Sequence, residues 1–202
     1  MPEAIRVLET AASKFDFACT WNEKVWSCER FHNKGAMMPE DGLDQIKDDN
    51  AILLGAVGFP GVADHVSLWG LLIPIRREFQ QYVNLRPVRL LEGVPCPLVG
   101  RAPGDIDFWV VRENNEGEYS EIGGRLYAGT DAEFAVQQSI FSRRGTDRIM
   151  RYAFELAKKT GKSKVTSATK SNGIIHSMPY WDERFDVIRA EYPDIDTDKY
   201  HI

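Results

Sequence analysis

The sequence contains no long apolar run, and none of its runs reaches the roughly 20 residues that a membrane-spanning helix requires. It also has little positive charge, since 25 lysines and arginines stand against 30 aspartates and glutamates, for a net charge of −5. A nucleic-acid binder usually presents a basic face, so this balance argues against nucleic acid as a partner. Any anionic ligand must instead be held by a local group of arginines.

Cysteine is scarce. Cys19, Cys28 and Cys96 form no C-x-x-C pair, and an odd number leaves at least one of them unpaired. This usage favours a reducing cytoplasmic compartment, with the cysteines acting as small core residues. The first six residues already carry charge, so we expect no signal peptide.

The remaining composition is that of a globular α/β protein. Hydrophobic residues make up 43% of the 202 positions and charged residues 27%, enough to bury one large domain or two small ones. Apolar strand patterns alternate with helical patterns, which predicts a largely parallel sheet flanked by helices. We place a weakly marked domain boundary between 1–85 and 86–202.

Periodicity predicts the individual elements. Helices are predicted at 2–14, briefly from Pro39, at 67–81 with a possible kink at Pro74, at 145–159 and at 173–192. Strands are predicted at 15–26, 51–57, 83–91, 106–112, 133–141, 164–168 and from 196 onward. The continuous apolar run 51–57 is typical of a strand buried on both faces. The glycine-rich segment 114–130 is predicted to be irregular.

Three arginines stand out by their positions. Arg76 lies late in an apolar helix, Arg86 precedes Pro87 where the chain must be extended, and Arg112 ends an apolar strand. A guanidinium group holds a carboxylate through two parallel hydrogen bonds, so a converging set would suit a di- or tricarboxylate. The alternative is three unrelated arginines in surface ion pairs.

Longer motifs carry a family resemblance. They are Val83-Asn-Leu-Arg86-Pro87, Val110-Val-Arg112-Glu-Asn-Asn-Glu-Gly-Glu-Tyr119 and Ala168-Thr-Lys170-Ser-Asn172. With these motifs the chain resembles the isocitrate/isopropylmalate dehydrogenase family along essentially its whole length. Met38-Pro-Glu-Asp-Gly-Leu43, Asp64-His-Val-Ser-Leu-Trp-Gly-Leu71 and Met178-Pro-Tyr-Trp-Asp-Glu183 bring it closest to the tartrate dehydrogenase/decarboxylase and D-malate dehydrogenase branch.

The resemblance implies the family's fold and its chemistry. It also implies that 1–85 is part of a first, cofactor-side domain and that 86–202 is part of a second domain for substrate binding and dimerisation. Members oxidise a 2-hydroxy acid with NAD, sometimes with loss of CO₂, and a Mg²⁺ or Mn²⁺ ion acts as a Lewis acid. Arg76, Arg86 and Arg112 match the arginines that bind the substrate carboxylates. Tyr119 matches the general acid, and Lys170 matches the lysine that helps to deprotonate the substrate hydroxyl.

The same resemblance extends to a cofactor contact and to a partner subunit. Asn172 matches a residue near the nicotinamide and the substrate. In the family the catalytic lysine reaches into the other subunit's site, so a homodimer is the expected functional unit.

Substrate size is predicted from the helix that leads to Arg76. Trp69 would shrink the space for the variable side of the substrate, and neither Gly70 nor Leu72 offers a polar group for a third carboxylate. These residues favour a small C4 acid such as tartrate or D-malate over isocitrate, with 3-isopropylmalate as an alternative. Trp69 also has a purely structural interpretation as a core residue.

The sequence departs from the family at both ends. The family's first strand, its Gly-Asp-Gly-Ile-Gly turn, its metal-binding aspartates and most of its NAD pocket have no counterpart here. We therefore expect a truncated chain, without metal ligands of its own, whose activity alone is impaired. A different class of function is a non-catalytic dimerising remnant, or a subunit that pairs with a complete paralogue and donates Lys170.

Several residues also have plain structural interpretations. Without the family, Lys170 would be a solvated loop lysine and Tyr119 an interface tyrosine. The acidic cluster Glu113, Glu116 and Glu118 is interpreted as a solvated turn rather than a metal site. The four histidines, at positions 32, 65, 176 and 201, lack metal-ligand spacing and are taken as structural or exposed.

Overall fold

The computed structural model describes all 202 residues, which form two compact units, Met1–Phe79 and Gln80–Ile202. The predicted boundary after residue 85 falls inside the first strand of the second unit. The assignment of a cofactor-side domain and a substrate domain stays a prediction.

The first unit is built from helices and irregular chain. Its helices are α1 (Pro2–Phe15), α2 (Cys28–Lys34), α3 (Asp64–Ser67), a π-helical turn (Leu68–Leu72) and α4 (Ile73–Glu78). The prediction of α1 is confirmed. None of the helices in the protein combines the length and the apolar character needed to cross a membrane.

The predicted helix 67–81 exists, but it begins earlier and changes its winding before Pro74. Proline has no N–H to donate to the carbonyl four residues back, and its ring collides with that carbonyl. The π-helical turn Leu68–Leu72 widens the backbone just before this point. The kink expected at Pro74 therefore takes the form of a wider turn, from which α4 continues to Glu78.

The core of the first unit is small. Its buried residues are Cys28, Met37, Ile46, Val62, Leu71 and Ile75. Only one of the three cysteines behaves as the predicted core residue, since Cys28 is buried whereas Cys19 is exposed and Cys96 is partly exposed.

Three predictions for the first unit are wrong. Segment 16–26 forms no strand, and the residues after Pro39 form successive turns rather than a helix. Segment 51–57 has no regular secondary structure and pairs with no other segment, and Leu53 remains 44% exposed. An apolar sequence becomes a buried strand only when neighbouring strands satisfy its backbone groups, and no segment of this chain does so.

The second unit alternates strands and helices. Its elements are β1 (Val83–Arg89), β2 (Asp107–Glu113), β3 (Gly117–Leu126), β4 (Phe134–Ile140), α5 (Arg143–Thr160), β5 (Lys164–Thr169), α6 (Ser177–Arg189) and β6 (Asp196–His201). The α/β class is confirmed. The strands form three pairs, of which β1–β2 and β3–β4 are antiparallel and only β5–β6 is parallel. The expectation of a largely parallel arrangement thus holds within this chain for one pair alone.

Helices α5 and α6 form the core of the second unit. Its buried residues are Ile149, Met150, Phe154, Phe185 and Ile188. The apolar faces of β1, β2 and β5 pack on this core through Val83, Val111 and Val165. Burial against the same core raises the pKa of Tyr192 to about 12, with a smaller contribution from its hydrogen bond to Glu155.

The predicted irregular segment 114–130 contains a strand instead. Residues 122–126 of β3 pair with 134–138 of β4, as a two-stranded β3–β4 ribbon. Every residue of β4 is exposed, which confirms the prediction of a strand at the solvent or at an interface. Glycines lower the intrinsic strand preference of this stretch, so only its pairing with β4 makes it a strand.

Candidate active site

Two of the predicted substrate arginines share one face of the β1–β2 pair. Asn84 lies opposite Arg112 in the antiparallel register, and Arg86 lies opposite Val110. Residues directly opposite each other point to the same side of a sheet, as do residues two apart in a strand. Arg86 and Arg112 are therefore diagonal neighbours on the face that points away from the Val83 and Val111 core contacts.

Arg112 also joins the predicted general acid. Its Nη2 donates a hydrogen bond of 2.8 Å to the Tyr119 hydroxyl oxygen. The guanidinium carbon of Arg112 lies 5.0 Å from the centre of the tyrosine ring. The two contacts together orient the phenol, because one fixes the oxygen and the other fixes the plane of the ring. Both side chains are half-buried.

The side-chain amides of Asn84 and Asn114 form hydrogen bonds that support the Arg86 side chain. Arg86 Nε donates to Asn84 Oδ1 at 3.0 Å, and Asn84 Nδ2 reaches Asn114 Oδ1 at 3.5 Å. Asn114 is 5% exposed and donates from Nδ2 to the carbonyl of Gln81 at 3.0 Å. A buried amide with fixed partners holds its neighbours in one arrangement. Asn84 and Asn114 are supporting residues that the sequence reasoning missed.

The acidic cluster between Arg112 and Tyr119 is not a solvated turn, so that prediction is wrong for Glu113 and Glu116. The Glu113 side chain is only 8% exposed and lies 3.4 Å from Arg148 Nη2. Its Oε1 accepts from the backbone N–H of Asn115 at 2.8 Å and of Glu116 at 3.3 Å. The buried backbone donors of the turn are thereby satisfied by its own carboxylate. Only Glu118 is exposed.

Glu116 binds the start of α5. Its Oε2 accepts from the Ser142 backbone N–H at 2.8 Å, and its Oε1 accepts from the Ser142 hydroxyl at 2.6 Å. Ser142 in turn caps the helix, since its Oγ accepts from the Gly145 N–H at 3.0 Å. A carboxylate at a helix N-terminus is favoured by the exposed N–H groups and by the helix dipole.

Lys170 and Asn172 lie on the turn that follows β5. The carbonyl of Lys170 accepts from the N–H groups of Gly173 at 3.0 Å and Ile174 at 2.9 Å, which closes the turn. Thr169, at 2% exposure, accepts through Oγ1 from the Ser171 N–H at 3.2 Å. The backbone of the turn is thus fixed, while the side chains of Lys170 and Asn172 face solvent.

His201 contacts this turn from the neighbouring strand. Its Nε2 lies 3.1 Å from the Ser171 Oγ, because β5 and β6 run parallel and end at the same edge. Ligands of α/β proteins commonly bind at the carboxyl ends of parallel strands. The sequence reasoning treated His201 as structural or exposed. Its position at the end of a predicted strand was the signal that could have placed it beside Lys170.

Trp69 and Leu72 lie in the π-helical turn of the first unit, and Arg76 lies in the helix α4 that follows it. Trp69 is half-buried and outside the core cluster, and the guanidinium carbon of Arg77 lies 4.7 Å from its ring centre. Arg76 is half-buried in the last turn of α4. Convergence of Arg76 with Arg86 and Arg112 stays a prediction.

The residues of this chain do not form a metal site on their own. No three histidine, cysteine, aspartate or glutamate side chains come close enough to hold an ion. Carboxylates with lowered pKa values lie elsewhere in the second unit. A hydrogen bond from Lys162 lowers the pKa of Asp107 at the start of β2, and one from Lys164 lowers that of Asp198 in β6. These carboxylates act as structural ion-pair partners.

The family of the chain follows from its similarity to known proteins. The family model described as isocitrate/isopropylmalate dehydrogenase matches residues 1–202, and the chain is a member of that family. It is 57% identical over 204 aligned residues to the D-malate dehydrogenase [decarboxylating] of Escherichia coli (strain K12). It is 55% identical over 204 residues to the tartrate dehydrogenase/decarboxylase of Pseudomonas putida. Each match covers 100% of this chain but 56% of the relative, so the chain spans about half the length of these relatives.

Solved structures show the same fold. The isocitrate dehydrogenase from Methylococcus capsulatus superposes with a TM-score of 0.78 at 25% identity, covering 92% of this chain and 52% of that structure. The TT0538 protein from Thermus thermophilus superposes with a TM-score of 0.79 at 29% identity, covering 99% of this chain and 39% of that structure.

Proposed function

We propose that this chain serves the NAD-dependent and divalent-metal-dependent oxidation of a small 2-hydroxy dicarboxylic acid, with decarboxylation as a possible second step. The observation that carries the proposal is the grouping of Arg86, Arg112 and Tyr119 on one face of the second unit. The identities of 55–57% to a tartrate and a D-malate dehydrogenase support the substrate class. In this chain alone we expect the activity to be impaired.

The proposed steps involve only side chains of this chain. Arg86 and Arg112 bind carboxylate oxygens of the acid, and Arg76 is the third arginine proposed for substrate binding. Lys170 takes the proton of the substrate hydroxyl, and Tyr119 delivers a proton to the product carbon. Asn172 contacts the nicotinamide. NAD as hydride acceptor and Mg²⁺ or Mn²⁺ as Lewis acid follow from the family resemblance, and the described residues contain no cluster of three metal-donor side chains.

The test of the function is NADH formation by the chain with Mn²⁺, potassium and, separately, D-malate, tartrate and 3-isopropylmalate. We expect little or no turnover from the chain alone, and turnover of a C4 acid once flanking segments from a full-length relative are added. Tyr119→Phe and Lys170→Met in the extended protein should each lower kcat by about a hundredfold or more. A full rate in either variant would refute the assigned roles.

Substrate size is proposed to depend on Trp69, with Leu72 beside it. Trp69→Ala in the extended protein should raise the turnover of 3-isopropylmalate relative to D-malate, because it opens space for a larger side group. Leu68→Ala on the same π-helical turn is the control and should leave the ratio within about twofold of its starting value. An unchanged ratio in Trp69→Ala would show that the indole is not the specificity gate.

A homodimer is proposed as the functional unit. The fully exposed β4, with Phe134 47% and Val136 45% exposed, supports an interface on the β3–β4 ribbon. Light scattering of the chain should give twice the 22.9 kDa monomer mass. Val136→Lys should shift it to the monomer, and Val187→Lys, on exposed α6 surface, should not. A monomeric wild type would remove the support for an active site shared between subunits.

A second candidate function is a subunit that pairs with a complete paralogue and donates Lys170. The exposed β3–β4 ribbon favours it. Mixing the chain with a full-length relative whose own catalytic lysine has been removed should restore turnover, and mixing with Lys170→Met should not.

We also propose a cytoplasmic location, which the three free cysteines support.

A further inference from the structure

We propose that Glu116 is a positioning residue that holds the Tyr119 hydroxyl on Arg112 by anchoring the intervening turn to the N-terminus of α5. The inference rests on the proposed function, since it assumes that Tyr119 is the proton donor and that Arg86 and Arg112 bind the acid. The anchoring itself is argued from contacts of Glu116, Ser142 and Gly145, none of which has a proposed role in the reaction.

Arg112 and Tyr119 belong to different strand pairs, so different contacts hold each of them in place. Arg112 lies within β2 and is fixed by its pairing with β1, opposite Asn84. The N–H of Asn114 donates to the carbonyl of Tyr82 at 3.0 Å, which extends that pairing by one residue. Tyr119 comes after the turn, at the start of β3, where the register with β4 shifts between Gly117 and Ile122. Around Tyr119 the contacts with β4 include side chains, since Gln137 Nε2 donates to the Glu118 carbonyl at 3.3 Å and the Ile140 N–H donates to Ser120 Oγ at 3.1 Å. Residues 115 and 116 of the preceding turn lie outside both strand pairings.

The turn between them is anchored by Glu116. Both oxygens of this carboxylate accept short hydrogen bonds from Ser142, at 2.8 Å from the N–H and 2.6 Å from the hydroxyl. Ser142 precedes α5, whose buried face includes Phe154 at 0% exposure and forms the core of the second unit. The anchor thus ties a short turn to the helix that carries the buried core of the second unit.

Gly145 makes room for this carboxylate. A Cβ at position 145 would lie 2.2 Å from Glu116 Oε2 and 2.3 Å from its Cδ. No side chain fits at position 145 while Glu116 keeps its place, although glycine lowers helix propensity in the first turn. The glycine at this position is explained by the carboxylate that occupies the space.

Loss of the anchor should release Tyr119 from Arg112 while leaving the arginines in place. A displacement of about 1 Å at a reacting group can lower a rate by about a hundredfold. Binding of the acid depends on Arg86 and Arg112, which the β1–β2 pairing holds. The expected signature is therefore a fall in kcat with a nearly unchanged KM.

The first experiment uses the chain as it is and needs no turnover. With ¹³C-labelled tyrosine rings, the Tyr119 resonance is assigned by its absence in Tyr119→Phe. We expect this resonance to shift in Glu116→Ala and in Gly145→Ala, and to shift less in Glu116→Gln, whose amide retains one acceptor for Ser142. Glu191→Gln is the matched control, because Glu191 also pairs with an α5 residue, Arg151, through bonds of 2.7 and 2.9 Å. An unmoved Tyr119 resonance in folded Glu116→Ala, checked by its thermal midpoint, overturns the positioning role.

The second experiment links the position to the reaction in the extended, active protein. Glu116→Ala should lower kcat by about a hundredfold in the wild-type background and by less than about twofold when Tyr119 is already Phe. A structural role alone would lower kcat equally in both backgrounds, which would overturn the proposal. If Tyr119→Phe itself has no effect, the proton-donor role fails, whereas the resonance shift still decides whether Glu116 positions the tyrosine.

Discussion

At the scale of single residues, the geometry of the candidate site depends on the contacts that each arginine makes with other side chains of the protein. Arg112 bonds the Tyr119 hydroxyl at 2.8 Å and stacks on its ring, so one side chain serves both predicted binding and predicted proton transfer. Arg86 is exposed and steadied by Asn84 at 3.0 Å. A lysine could replace the charge at either position but not the planar, multiply bonded geometry.

Arg112→Lys should therefore weaken D-malate binding more than a simple change of charge would suggest. Hydrogen bonds to charged groups contribute about 1.5–3 kcal/mol, so losing one of a parallel pair should raise the Kd by about tenfold or more. Titration calorimetry of the 202-residue chain measures this.

Arg89→Lys is the matched control for that substitution. Arg89 lies on the same strand pair but on the opposite face, where it pairs with Asp107 at 3.1 Å. The Arg89→Lys variant should bind D-malate with the same Kd as the wild type. Equal weakening in the two variants would mean that general charge, rather than the Arg112 geometry, holds the acid.

At the scale of elements, α5 supports most of the second unit. It packs against β2 and β5 and against α6, with Phe154 at its buried centre. The Phe154 ring stacks on Tyr192 at 4.7 Å between centroids and 8° between planes. Ser142, at the N-terminal end of α5, donates a hydrogen bond to Glu116. The helix therefore carries the core and also fixes the turn that precedes Tyr119.

Phe154→Ala should destabilise the second unit strongly. Truncation of a fully buried phenylalanine costs about 3–5 kcal/mol, since it loses both the transfer free energy and the packing around the cavity. Denaturant unfolding followed by the near-ultraviolet signal measures the change. Phe15→Ala is the control, because Phe15 is 69% exposed at the end of α1, and it should stay within about 0.5 kcal/mol. Similar losses for both would contradict the assignment of the core.

At the scale of the whole molecule, ion pairs between elements predict a loss of stability in acid. Hydrogen bonds from Arg151 lower the pKa of Glu191 from its usual 4.5, and bonds from Lys164 and then Thr166 lower that of Asp198 from its usual 3.8. A carboxyl group with a lower pKa in the folded state binds protons more readily when unfolded. Its contribution is present above the unfolded pKa and is lost as pH falls through the folded pKa.

The thermal midpoint of the chain should therefore fall as pH is lowered from about 5 to about 3. Glu191→Gln should reduce the steepness of that fall, because it removes one of the titrating groups. Glu9→Gln, on the exposed surface of α1, provides the baseline slope. A slope for Glu191→Gln that equals the baseline would show that the Arg151–Glu191 pair does not contribute to acid stability.

Much of the architecture is predictable from local sequence. Helices α1 and α5 and strands β1, β2, β4, β5 and β6 follow from apolar periodicity, and Gly161 ends α5 as its left-handed residue. Strand β3 is not predictable in this way, because its glycines suggest a loop and only β4 gives it a partner. Segment 51–57 fails in the opposite sense, since its apolar sequence suggests a buried strand that nothing in the chain pairs.

The sequence by itself determined the family, since its motifs are long and specific, and it determined which residue types are available for binding a carboxylate. Only the tertiary structure decided how some of them are used. Glu113 and Glu116 look like solvent-facing acids in the sequence, yet they lie against Arg148 and Ser142. Glu116 and Ser142 are 26 residues apart. A hydrogen bond over that separation depends on how β2, the turn and α5 pack, and no local pattern of residues records it.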